Sequence, residues 1–160
     1  MIFKGFIRSS DQKLTNWYLE FPADTHERMG LPRNSRVLIE FNGMIMHRAL
    51  RSSSNGYDYI GLTGAFLKKH KLVEDQSIEV SLKEDISEFG MDFPEEMQEV
   101  MAQDEEGSAM FYALNPGLQR GFLHYASSAK GVQTRINRAL HIMNRLRELA
   151  SEGKIKGFEP

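Results

Sequence analysis

The chain has 160 residues, 41% of them hydrophobic and 26% charged, which is the composition of a soluble globular protein of one or two small domains. Its net charge of −2 argues against a general nucleic-acid coat, and the absence of cysteine excludes disulfides, thiolate zinc sites and cysteine nucleophiles. No apolar run approaches the ~20 residues of a membrane helix, and Lys4 and Arg8 interrupt the start too early for a signal-peptide core, so a cytoplasmic protein is expected.

The first 85 residues read as β-rich. Ile2, Phe3, Phe6 and Ile7 open one strand, and Trp17, Leu19 and Phe21 alternate in a second, with Ser9 to Lys13 as the turn. Residues 36–41 and 44–50 flank Asn42-Gly43, a hairpin signal because both residues tolerate positive φ. A polar loop at 51–55, a strand at 56–62, a short helix at 64–70 and an alternating strand through Ile78, Val80 and Leu82 complete this part.

The character changes near Glu84. Pro94-Glu95-Glu96 starts a helix, with proline in the first turn and carboxylates at the positive end of its dipole. A second helix is expected from Ser108 to Leu114, and a third after Asn115-Pro116, burying Leu118, Phe122 and Tyr125 and ending at Gly131 as its cap. A fourth runs from Val132 to Leu149 with Ile136, Ala139, Leu140, Met143 and Leu146 inward. The domains are thus a β module at 1–85, a helical module at 92–150 and a frayed tail at 151–160.

Charge is sorted into two blocks. Residues 84–106 hold ten Asp/Glu and no Lys or Arg, whereas 117–147 hold six Lys/Arg and no carboxylate. In the basic block Arg135, Arg138, His141 and Arg145 follow a 3, 3, 4 spacing that reads as one ridge of the fourth helix. With Lys130 and Thr134 at the helix start they form the candidate site, suited to an anionic ligand or a protein partner. The competing reading docks the ridge internally on Asp92, Glu95, Glu96 and Glu99.

The helical half resembles the bacterial YdeI/OmpD-associated, or bacteriocin-protection, family. The resemblance is carried by Phe93-Pro94-Glu95-Glu96-Met97, by Phe111 and Leu114 before Asn115-Pro116, and by Tyr125, Ala129-Lys130, Thr134-Arg135 and Arg138. Tyr125 stands where the family more often has tryptophan. The first half is similar to the domain of unknown function that often precedes it, through Trp17, Leu19-Glu20-Phe21-Pro22, Asn42-Gly43 and Leu67-Lys68-Lys69. Asp75-Gln76 replaces that domain's more frequent Gly-Asp. The resemblance implies an α+β protein: a small double-split β-barrel of AbrB-like architecture followed by a four-helix module.

No catalytic constellation emerges. The five histidines lack metal-ligand spacing, no G-x-S-x-G elbow or phosphate loop occurs, and no cofactor is implied. The leading expectation is a non-enzymatic binding or regulatory protein, tied by resemblance to stress or antimicrobial-peptide tolerance. One alternative is a DNA-binding dimer through the barrel, against which stand the equal numbers of cationic and acidic residues over 1–91. Another is an enzyme on a small anion, with Lys130, Arg135 and Arg138 as stabilisers.

Overall fold

The computed structural model describes residues 1–10 and 17–158. The chain divides into two compact units, Met1–Ile86 and Ser87–Pro160. The turn expected between the first two strands lies largely outside the described residues.

The first unit is a closed antiparallel barrel of six strands: β1 (Ile2–Ser9), β2 (Trp17–Pro22), β3 (Arg36–Phe41), β4 (Met44–Ser52), β5 (Tyr57–Leu62) and β6 (Ser77–Glu84), in the order β1-β2-β5-β4-β3-β6. Alternation sets its inside, where Phe3, Ile7, Leu19, Phe21, Val37, Ile39, Ile60 and Val80 are buried. Of the four apolar residues of β1, Ile2 and Phe6 face outward, Phe6 beneath the cations of Lys4 and Arg8. The β3–β4 hairpin turns at Asn42 and Gly43 with φ of 49° and 75°, the pair of positive values that the Asn-Gly signal requires. Asp75 has φ 62°, a left-handed value that glycine takes freely and aspartate tolerates, so the departure from Gly-Asp keeps the backbone turn available.

Two short helices interrupt the barrel. The expected one, α2 (Gly64–His70), begins where Thr63 Oγ1 accepts from Phe66 N at 3.2 Å. The other, α1 (Thr25–Arg28), has too few residues to carry a periodic signal, and it delivers His26 to the interior.

The second unit has the four helices expected: α3 (Glu95–Gln103), α4 (Glu105–Tyr112), α5 (Pro116–Ser127) and α6 (Val132–Ser151). Helix α4 starts earlier than Ser108, because Asp104 caps it by accepting from Gly107 N at 2.9 Å. The core gathers Met97, Met101, Phe111, Leu123, Ala139, Ile142, Met143 and Leu146. Ile155, in the segment expected to fray, is 3% exposed, and Phe158 packs against the same cluster.

Three expectations for this unit are corrected. The buried stripe of α5 is Gln119, Leu123 and Ala126, whereas Leu118, Phe122 and Tyr125 lie one residue away, on a face turned about 100° from the core. Ala126 allows close packing, and Gln119 Nε2 donates to Phe111 O at 3.2 Å, filling a carbonyl at the end of α4. On α6, Leu140 is 49% exposed, and the inward place beside Met143 goes to Ile142. Gly131 does not cap α5 in a left-handed conformation either. It is extended, with φ −89°, and is the N-cap of α6.

Candidate functional site

Consecutive turns of α6 carry the basic residues, yet a step of three residues falls about 60° short of a full turn. The ridge therefore splits. Arg135 faces α3, while Arg138, His141 and Arg145 face α5 or solvent. The sequence expectation of a single line holds only for the latter three.

Arg135 is committed within the molecule. Its Nε and Nη2 lie 2.8 and 2.6 Å from Glu96 Oε1, and Nη1 donates to the carbonyls of Ala129 and Lys130 at 3.2 and 3.1 Å. These contacts hold the Glu96 carboxyl below its usual range and raise the guanidinium above its own, the Arg135–Glu96 hydrogen bond being the largest cause of both. The internal clasp is thus present for this arginine, on one of the four carboxylates proposed. A second clasp was not legible: Arg147 Nη2 sits 2.7 Å from both oxygens of Asp104, lowering that carboxyl through its hydrogen bond.

Arg138 differs. Its Nη1 donates to Tyr125 O and to Ser128 Oγ, both at 2.7 Å, and its guanidinium lies 4.6 Å from the Tyr125 ring centroid. Among the described residues no carboxylate neutralises it. Arg138 bonds a carbonyl in the last turn of α5 and Arg135 bonds two chain carbonyls just beyond it, so arginine side chains close this corner where a left-handed glycine does so elsewhere. This bears on the A-K-x3-T-R-x2-R spacing: Ala129 and Lys130 offer carbonyls on which Arg135 closes, and Arg138 reaches back to Tyr125 and Ser128.

Beside Arg138 a groove of about 410 Å³ runs between α5 and α6. Its apolar wall is Leu118, Phe122, Tyr125 and Ile142, and its rim carries His141 and Arg145. The stripe of α5 expected in the core thus lines this groove. The His141 ring lies edge-on to Tyr125 at 6.3 Å, and Arg145 Nη1 meets Glu148 Oε2 at 2.7 Å. Lys130 and Thr134 are exposed at the start of α6, away from the residues lining the groove.

In the barrel, His26 Nδ1 lies 2.7 Å from Asp58 Oδ2, which also accepts from His26 N at 3.0 Å, and Ser52 Oγ donates to Asp58 Oδ1 at 2.7 Å. Histidine and aspartate are both buried. The serine bonds the carboxylate rather than the imidazole, so the nucleophile–base contact of a Ser-His-Asp triad is not made. A pairing across 32 residues, one partner on a four-residue helix, leaves no periodic trace in sequence. No group of three or more potential metal ligands occurs among the described residues, and no described helix is long and apolar enough to cross a membrane.

Residues 90–148 match the family described as bacteriocin-protection, YdeI or OmpD-associated. The match spans all of α3, α4 and α5 and most of α6, and the unit ahead of it is the closed six-stranded barrel. Searches of curated proteins and of solved structures found no match to this chain.

Proposed function

We propose that the protein is a non-enzymatic binding protein whose helical unit takes up an acidic, amphipathic segment of a partner protein in the α5–α6 groove. The observation that supports this is Arg138, a cation without a carboxylate partner among the described residues, beside an apolar wall edged by His141 and Arg145. An apolar floor beside the Arg138 cation suits a helix or strand that interleaves leucine-like residues with carboxylates. The description of the matched family makes antimicrobial-peptide tolerance the process in which we place that partner. A cysteine-free chain fits a cytoplasmic setting. Duplex DNA draws less support, because twelve cationic and twelve acidic residues balance over 1–91.

Fluorescence anisotropy with a labelled peptide of alternating Leu-rich and Glu-rich turns tests the reading. Arg138→Glu is expected to weaken uptake at least about tenfold. Leu118→Glu, which leaves the α5–α6 hydrogen bonds in place, should do the same. Arg135→Glu should instead lower the unfolding midpoint. Equal uptake of a peptide with Lys in place of Glu, or unchanged uptake by the Leu118 variant, refutes the proposal.

A further inference from the structure

The wall of the barrel is unevenly laced. Strands β4 and β5 pair at Leu50↔Ile60, Arg51↔Tyr59 and Ser52↔Asp58. Both strands run further, and the same register would next set Ala49 against Gly61 and Arg48 against Leu62. That pairing is not made. Residues 44–49 of β4 pair with β3, while Gly61 and Leu62 stay with Tyr18 and Trp17 of β2. The strands fork, and the fork opens a cavity of about 410 Å³ lined by Arg48, Arg51, Tyr59, Gly61 and Thr63. Such a volume falls in the range of roughly 300–1,000 Å³ usual for small-ligand sites.

Neither arginine of the fork has a carboxylate partner among the described residues. Arg48 is half-buried; its Nη1 donates to His47 O at 2.8 Å and its Nη2 lies 3.5 Å from Met46 Sδ. Burial lowers its pKa, the mark of a guanidinium that has given up water without gaining a counter-ion. Arg51 is exposed, directly across the ladder from Tyr59.

Tyr59 leads into an aromatic face. The rings of Tyr18 and Tyr57 stack at 5.9 Å with 10° between planes, and Tyr59 stands edge-on to them at 5.7 and 6.0 Å. The Tyr18 hydroxyl is pushed up to about 12 by its hydrogen bond with Tyr57, so its phenol stays neutral. The nearest carboxylate on this face, Glu20, pairs with Arg8 at 3.7 Å.

We infer that the β4–β5 fork is a binding site for a phosphorylated aromatic ligand of mononucleotide size, with its phosphoryl oxygens on Arg48 and Arg51 and its ring on the tyrosine face. Arginine presents a planar fork of donors that matches phosphate oxygens, and every base has a face that stacks on tyrosine. A nucleic-acid strand would need cations continuing along a groove, and the fork supplies two.

Titration calorimetry on the full chain tests the site with adenosine monophosphate, ribose 5-phosphate, adenosine and a short oligo(dA) as probes. The nucleotide should bind at least about tenfold more tightly than either half-ligand, since only it engages both arginines and ring face. Arg51→Glu and Tyr59→Ala should each weaken it at least about tenfold, and Arg138→Glu, in the other unit, should leave it unchanged. No heat with the nucleotide at millimolar concentration, equal affinity for ribose 5-phosphate, indifference to Arg51→Glu, or preference for the oligonucleotide beyond its nucleotide count overturns the inference. The α5–α6 proposal stands or falls separately.

Discussion

Asp104→Ala removes two contacts of different kinds from one side chain. The carboxylate caps α4 through Gly107 N at 2.9 Å and receives Arg147 Nη2 at 2.7 Å on both oxygens. Loss of an N-cap costs about 0.5–2 kcal/mol. The ion pair adds roughly 0.2–1 kcal/mol, discounted because the arginine side chain is 41% exposed. Together they remove about 0.7–3 kcal/mol, and a domain of this size loses roughly 4–8 °C of midpoint per kcal/mol. Asp104→Asn separates the two contacts, because asparagine caps as well as aspartate but cannot form an ion pair with Arg147. Its loss should be the smaller. The assay is thermal unfolding followed by far-ultraviolet circular dichroism, whose signal the helical unit dominates. The pH dependence has a defined sign. The Arg147 and Gly107 hydrogen bonds hold the folded carboxyl below its ordinary 3.8, so its stabilisation is complete above that value and fades as pH falls through the lower folded one. The asparagine variant should lack that component. An asparagine variant as damaged as the alanine variant would show that the capping hydrogen bond to Gly107 is not the main contribution of Asp104, and would refute this account of the residue.

Gly5→Ala would put a methyl group 2.8 Å from Leu19 Cγ and 2.9 Å from the backbone oxygen of Glu20, so the barrel should lose about 1–3 kcal/mol in a urea titration. Asp58→Ala should cost about 2–4 kcal/mol, because it strands the buried His26 and the half-buried Ser52. By contrast, Thr25→Val should be neutral or stabilising, since Thr25 Oγ1 is buried without a hydrogen-bond partner. Ile155→Ala should destabilise the helical unit by about 2–4 kcal/mol, which urea unfolding of chains with and without the change would measure.

Features whose cause is local were legible in the residues alone. The Asn42-Gly43 turn, the alternation of β2 and β6, the proline-led starts of α3 and α5, and the opposed charge blocks depend on near neighbours in the chain, and they yield a β-rich half followed by four helices. Tertiary structure decided the rest, because competing faces are separated only by packing. On α5 two stripes one residue apart are both apolar enough to bury, and the fit of Gln119 to the end of α4 places the richer one outside. On α6 the drift between a three-residue step and a helical turn sends Arg135 to Glu96 and leaves Arg138 without a carboxylate among the described residues. The His26–Asp58 pair joins positions 32 residues apart, and the β4–β5 fork is set by where β3 and β2 hold the two strands, so both depend on the closed barrel.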